Sequence, residues 1–485
     1  MTHPCFEPLN PRILEPFFLQ IEMFTDDTIA AISTPLGEGG IGIVRLSGKD
    51  SIEIAEKIFT SPKKRALRDA GSYKLSYGYI RDPSTSEKID EVLVAVMRSP
   101  HSYTREDIVE INCHAGMVTL RRILELAIKG GARLADPGEF TERAFINGRI
   151  DLSQAEAVLD LILSKTDESR RVALEQLQGG LSEKITLLRD KLRNLCAHVE
   201  AHIDFPEDEI EISSQDEILK SMEEVIRELR KLLKTYDEAK FFREGLSTAI
   251  VGRPNVGKSA LLNALLQRDR AIVTPLPGTT RDVIEEYLNI HGLPLRIMDT
   301  AGIRDVQNIA EKEGVKRSLQ SIENADLVIA VFDESEPLRD EDFEVIEKIR
   351  DKKVIVVMNK CDLPSAADKS VIASSFGPFD VLILEISALT SAGLEELKDL
   401  IFNSSLKDWK EEKGGVLVTN MRHKIALENA AASLGRALSG FNEDKPLEIV
   451  ALELRDSLNS LGEIVGAVTT EDILNSIFKN FCIGK

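Results

Sequence analysis

At 485 residues the chain exceeds what one hydrophobic core organises, and roughly two to four domains are expected. Hydrophobic residues at 43% and charged residues at 29% exclude a disordered chain, and no apolar run of about 18 residues exists to cross a bilayer, so no membrane partner is expected. A formal charge of −20 excludes strong autonomous binding to a phosphate backbone unless a local basic patch or a basic partner supplies it.

The opening residues, MTHPCFEPLNPRILEPFFLQIEMF, are acidic and Pro-interrupted and match neither a secretory signal nor a transit peptide. They are read as an unmatched extension over 1–24, of which residues 1–22 are expected to be disordered or absent from the natural product, on a cytoplasmic protein. Cys5, Cys113, Cys196, Cys361 and Cys482 form no CxxC pair, which speaks against a zinc site and against a disulfide framework.

Short apolar runs then alternate with glycines: TIAAIST, IGIVRLS, EVLVAVMRS and DIVEINCH read as strands and MVTLRRILELAIKGG as an amphipathic helix. A small α/β domain over 25–145 is expected. Gly37-x-Gly39-Gly40-x-Gly42 imitates a dinucleotide fingerprint but lies between two strands, where it reads as a hairpin turn. From 146 to 242 LSQAEAVLDLILSKT and two longer segments repeat apolar residues at helical spacing, broken at Gly179-Gly180. Over 243–408 the strands STAIVG, LRIMDT, DLVIAVFD and KVIVVMNK alternate with helices, the pattern of a mostly parallel sheet. Helix returns over 409–485. The fold class is therefore α/β plus α, with a P-loop domain inserted into a helical domain.

Gly252-Arg253-Pro254-Asn255-Val256-Gly257-Lys258-Ser259 between strand and helix is a phosphate-binding loop. Its backbone N–H groups, through Ala260, would cradle phosphates, Lys258 would reach the β and γ phosphates, and Ser259 would ligate Mg²⁺. Thr279 and Thr280 lie in PGTTRD, a switch-type loop in which Thr280 would add a second Mg²⁺ ligand. Asp299-Thr300-Ala301-Gly302 would hold the metal through water and face the γ-phosphate. Asn359-Lys360-Cys361-Asp362 reads guanine, because Asp362 accepts from the ring N–H and the exocyclic amine and adenine would leave it unpaired. Ser387-Ala388-Leu389 completes the base loop. Residue 303 is Ile, so no glutamine orients water there.

These motifs, with PGEFTERAFINGRIDLSQAEAV and the terminal IFKNFCIGK, resemble the bacterial tRNA-modification GTPases of the MnmE (TrmE) family from about Thr25 to the end. The resemblance implies an N-terminal domain that dimerises and binds 5-formyl- or methylene-tetrahydrofolate, and a K⁺-activated G domain. It also implies a flavoprotein partner of the MnmG type, carrying FAD, in a heterotetramer that modifies the 5-position of the wobble uridine, with tRNA held mainly through the complex. By position, K⁺ would be held by Asn255, Thr274, Leu276 and Thr279, Thr274 and Thr279 also lining the nucleotide site, and water would be oriented by Glu311. The folate residues would be Arg45, Glu110, Arg149 and Lys485, with Cys482 in a chemical role left unspecified. Arg149 stands where the family often has Lys, and Ala115 where it usually has Gly. In EDILNSIFKNF, Ile473, Ile477 and Phe481 are expected to anchor the tail to the helical domain. The alternative is a regulatory GTPase acting on ribosome assembly, which should carry a basic RNA-binding appendage.

Overall fold

The computed structural model describes residues 27–37, 39–204, 215–269, 286–298, 320–377, 381–406 and 416–485. The chain divides into two units, one of Met1–Ala155 with Thr469–Lys485 and the other of Glu156–Val468.

In the first unit seven strands form one sheet: β1 (Ile29–Ile32), β2 (Gly42–Ser47), β3 (Phe59–Thr60), β4 (Lys74–Arg81), β5 (Lys88–Met97), β6 (Ile108–Cys113) and β7 (Arg133–Leu134), in the order β3-β4-β5-β6-β2-β1-β7. Gly37, Gly39 and Gly40 belong to the β1–β2 connection and Gly42 opens β2, and these strands pair antiparallel, so the false fingerprint is a hairpin loop. Alternate residues of β2 and β6, among them Val44, Leu46, Val109 and Ile111, enter a core with Ile52 and Ile54 of α1 (Ser51–Ile58) and Leu120 and Ile123 of α2 (Met117–Lys129). The opposite set points outward, which places Arg45 opposite Glu110.

Next comes α3 (Glu139–Ile146), whose buried Arg143 binds Glu139 at 2.9 Å, Asp27 at 2.5 Å and Glu106 at 3.1 Å. The second unit begins within α4 (Leu152–Leu163), followed by α5 (Asp167–Leu177), α6 (Gly180–Asp204) and α7 (Gln215–Glu244). Its sheet contains β8 (Leu246–Val251), β9 (Glu286–Ile290), β10 (Leu293–Ile297), β11 (Leu327–Asp333), β12 (Val354–Asn359) and β13 (Leu382–Ile386), in the order β13-β12-β11-β8-β10-β9. All pairs are parallel except β9–β10. β11 is buried along its whole length: Leu327, Ile329 and Val331 enter one core, and Val328, Ala330 and Phe332 the other. A strand covered on both faces needs this uninterrupted apolar run. The described helices of the sheet domain are α8 (Lys258–Asp269), α9 (Asp340–Ile349), α10 (Lys369–Ser375) and α11 (Leu394–Ser405).

After the sheet, α12 (Met421–Asn442) and α13 (Leu447–Val465) return to α6 and α7, so one core joins Leu188, Leu192, Met222 and Leu229 to Leu427, Leu434 and Leu454. Two helical segments far apart in sequence thus bury one another's apolar stripes around an inserted sheet.

The tail corrects one expectation. α14 (Glu471–Phe478) belongs with the first unit and packs on α3, not on the helical domain. Ile477, Phe478 and Phe481 are buried, whereas Ile473 is half-exposed. Phe478 comes this close because Gly138, at φ 73°, has no side chain: a Cβ there would stand 2.9 Å from the Phe478 carbonyl oxygen.

Beside that contact, burial and then the Glu139 carboxylate push the Glu142 carboxyl up to about 7, with Glu471 of α14 adding to the rise. A carboxyl raised from its ordinary 4.5 favours the fold fully below that pH and loses its contribution as the pH climbs through 7. Glu142→Gln is therefore expected to raise the melting temperature near pH 8, by up to about 3 kcal/mol of stability, and to leave it unchanged near pH 4. Thermal melts at both pH values check this; an equal shift at both would remove the charge as the cause.

Candidate functional site

The first group of site residues surrounds the end of β8. The turn from β8 into α8 holds Gly252 at φ 149°, Asn255 at φ 65° and Gly257 at φ 100°. A Cβ on Gly252 would lie 2.3 Å from the Val331 carbonyl oxygen, and one on Gly257 2.1 Å from Asn359 Nδ2, so both glycines are required by close approach. Lys258 Nζ donates to the carbonyls of Gly252 at 2.7 Å and Arg253 at 2.8 Å, folding the lysine over its own loop. Burial, and then the neighbouring Arg253, push the Lys258 ammonium below its ordinary range. An anion in the loop would reverse that, which is the electrostatic condition for binding a phosphate. The buried Arg253 ties the loop to Glu336 at 2.7 Å and to Asp342 at 3.3 Å.

Asn359, at the end of β12 and 2% exposed, joins two loops. Its Nδ2 donates to the Val256 carbonyl at 2.8 Å, and its Oδ1 accepts from Ala388 N–H at 3.0 Å. The phosphate loop and the base loop are thereby held in one register. Lys360, at φ 70°, forms an ion pair with the buried Asp333 at the end of β11, and Cys361 N–H donates to the Ile386 carbonyl at 3.0 Å. The Asp362 side chain is left exposed beside this anchored turn, as are Leu389 and, in part, Ala388. Ser387 is buried, and its hydroxyl accepts from Thr390 N–H at 3.1 Å. Thr274, Leu276, Thr279, Thr280, Asp299, Thr300, Ala301, Gly302, Ile303 and Glu311 lie outside the described residues.

A second group gathers in the first unit. Arg45 binds Glu110 through Nη2 at 2.7 Å and Nε at 2.9 Å, and its Nη1 donates to the Gly484 carbonyl at 3.3 Å. Arg45 lies 5.9 Å and Arg149 4.7 Å from the Tyr103 ring centre, and the Tyr103 hydroxyl bonds Thr141 Oγ1 at 3.0 Å. Burial, and then Arg45, push the Lys485 ammonium down. The tail is threaded through a bridge between Pro137 and Ile483, with Gly138 N–H donating to the Cys482 carbonyl at 3.4 Å. Gly484, at φ 93°, is pressed against β1: a Cβ would lie 2.5 Å from the Ile32 carbonyl oxygen. Arg45, Glu110, Arg149, Cys482 and Lys485 thus converge from β2, β6, the turn after α3 and the chain end. Tyr103 and Asp333 were missed in the sequence, where nothing periodic marks them; the bridging role of Asn359 was hidden inside its own motif.

A family profile described as the MnmE helical domain matches residues 152–482, and one described as the GTP-binding protein TrmE N-terminus matches residues 28–149. The chain belongs to the MnmE family. It is 50% identical over 463 residues to the tRNA modification GTPase MnmE of Alkaliphilus oremlandii, covering 96% of this chain and 100% of that one. The proteins of that name from Clostridioides difficile and Bacillus velezensis are 49% and 46% identical, covering 96% and 95% of this chain and the whole of each relative. The two groups of residues lie in different units of this MnmE-family chain.

If Asp362 reads the guanine amine, Asp362→Asn is expected to weaken GTP binding at least tenfold and to improve XTP binding, since the 2-oxo group of xanthine accepts from the amide. Titration with both nucleotides measures this, and an unchanged preference for GTP would remove Asp362 from the base site.

Proposed function

We propose that this chain is a K⁺-activated GTP hydrolase of tRNA modification that acts with an MnmG-like flavoprotein on the 5-position of the wobble uridine. The observation that supports the GTPase most directly is Asn359, which locks the base loop to the phosphate loop. In this reading Asp362 selects guanine, and Lys258 with the backbone of 255–260 holds the phosphates. Asn255, whose left-handed backbone turns at the mouth of the loop, is a K⁺ ligand, with Thr274, Leu276 and Thr279 completing the set. K⁺ held by these residues would supply positive charge to phosphoryl transfer in place of an arginine finger, Ser259 and Thr280 would hold Mg²⁺, and Glu311 would orient the attacking water.

For the modification, Arg45, Arg149 and Lys485 supply the cationic company that the glutamyl tail of a tetrahydrofolate requires, and Tyr103 offers a flat face beside them. Glu110 holds the Arg45 guanidinium in place, which makes it a positioning residue. A homodimer is favoured by the outer face of the first sheet, where Leu75, Tyr77 and Leu93 are 63%, 47% and 42% exposed. Among the described residues no helix is long and apolar enough to cross a membrane. The enzyme is read as cytoplasmic, with its tRNA held largely by the complex.

Two expected outcomes test this function. GTP turnover should depend on K⁺, resist rescue by Na⁺, and lose that dependence in Asn255→Ala; equal turnover in the two salts counts against the K⁺ site. Deletion of residues 482–485 should leave K⁺-stimulated hydrolysis within about twofold, since the tail makes no contact that stabilises the phosphoryl-transfer transition state, yet abolish modified wobble uridine. Chromatography of tRNA nucleosides from cells carrying the truncated protein decides it: normal modification would make the tail structural.

A further inference from the structure

A protein of formal charge −20 that acts on RNA needs a local surface of opposite sign. Between Glu56 and Asp69 the twelve residues 57–68 contain five cations, Lys57, Lys63, Lys64, Arg65 and Arg68, and no carboxylate. They occupy the end of α1, β3 and the connection to β4. Beside them lies a groove of about 610 Å³, lined by Lys49, Lys57, Arg68 and Arg98 together with Glu53 and Glu56.

The two carboxylates in this groove are already engaged, Glu53 by Lys57 at 2.9 Å and Glu56 by Arg68 at 2.8 Å. Arg98 is held differently: its Nη2 donates to the carbonyls of Arg68 at 2.6 Å and Ala70 at 3.5 Å. Its hydrogen bonds are made, but no carboxylate cancels its charge among the described residues. Lys63, Lys64 and Arg65 are exposed in the loop that leads into Arg68.

That loop is built and anchored. Leu67, 1% exposed, is sunk in the core of the first unit. Lys64 N–H donates to the Ser61 carbonyl at 3.0 Å, and Lys63 N–H to Ser61 Oγ at 3.3 Å. Lys64 itself sits at φ 51°, which few side-chain-bearing residues adopt. Cations on a pinned turn lose less freedom on meeting an anion than cations on a flexible tail.

We propose that this groove and the Lys63–Arg65 loop bind the phosphate backbone of RNA, placing the tRNA against the first unit without reading its sequence. The inference rests on tRNA as the substrate. Contacts of this kind orient a nucleic acid and carry no base information.

The test is binding of bulk tRNA to the full-length protein by fluorescence anisotropy, across roughly 50–200 mM salt, for the parent and for the triple variant Lys63→Glu, Lys64→Glu, Arg65→Glu. The variant should bind at least tenfold more weakly at the low-salt end, with a salt slope shallower by about two to three, while K⁺-stimulated GTP hydrolysis is unchanged. The neutral variant Lys63→Gln, Lys64→Gln, Arg65→Gln should show a smaller loss in the same direction and keep the parental melting temperature. Unchanged affinity and slope would overturn the proposal. So would loss of binding to polyglutamate with tRNA binding intact, which would assign the surface to an acidic protein. Failure of the enzymatic reading shows elsewhere, as normally modified wobble uridine in cells lacking the protein. Unmodified uridine in those cells, with a charge-reversed variant that binds tRNA normally, would sink the groove alone.

Discussion

The second unit depends on one buried carboxylate, Glu156. Its Oε2 accepts from Arg422 at 2.6 Å and lies 2.7 Å from His423 Nε2, and its Oε1 accepts from Asn420 at 2.8 Å. Burial drives the carboxyl upward, yet His423 and Arg422 outweigh it and hold it down at about 2. Arg422 also donates to the carbonyls of Glu463 at 2.6 Å and Ile464 at 3.1 Å. Glu156 opens the unit, Asn420 lies where the chain has returned from the sheet domain, and Glu463 and Ile464 close α13 shortly before the chain leaves the unit. One ion cluster therefore fastens the beginning, the return and the end of a helical domain that an insertion divides. Removal of Glu156 would leave the Arg422 guanidinium without its carboxylate, which is why such clusters are costly to break even where they add little net stability.

The inserted sheet domain is attached at further points. Gln176 of α5 donates to the Leu417 carbonyl and Thr419 Oγ1, both at 3.0 Å, and Val418 N–H donates to Thr235 of α7 at 3.0 Å. Arg243, just before β8, pairs with Asp160 of α4 at 2.8 Å. Beyond these covalent entrances, the β9–β10 hairpin reaches the helices: a Cβ on Gly292 would lie 3.2 Å from Glu168 Cβ, and Lys165 Nζ sits 5.4 Å from the Tyr287 ring centre. In sequence that hairpin lies between the switch-type loop PGTTRD and the DTAG motif. Both of those motifs lie outside the described residues, while the hairpin itself is held against α5 and the turn before it.

Much of this was legible because chemistry fixes the residues. A loop that wraps phosphates needs Gly252 and Gly257, and a base reader needs Asp362. Periodicity likewise revealed β2, β5, β6 and the long helices, since each buries one face. β4 escaped notice: Gly78 looks like a breaker, but a Cβ there would collide with the Phe59 ring at 2.5 Å, so the glycine is what lets β3 approach. The Glu156 cluster was invisible because its members are separated by more than 260 residues and each alone looks like a helix-surface charge. The tail pocket was legible by resemblance alone; no spacing rule brings Arg45 to the carbonyl of Gly484.

The position of the tail changes how nucleotide and modification chemistry must communicate. A tail anchored on the helical domain would move with it when the G domain changes. Instead, α14 packs on α3, Ile483 pairs with Pro137, and Gly484 is pinned against β1, so the tail is part of the first unit. The chain end is consequently held beside Arg45 within the first unit, with Arg45 on the Gly484 carbonyl and close to Lys485. Within the second unit, Glu156 stands at the first chain crossing, and Arg422 holds the carbonyls of Glu463 and Ile464 a few residues before the second. The cluster that closes the helical domain therefore lies close in sequence to both crossings, where the chain passes between the two units.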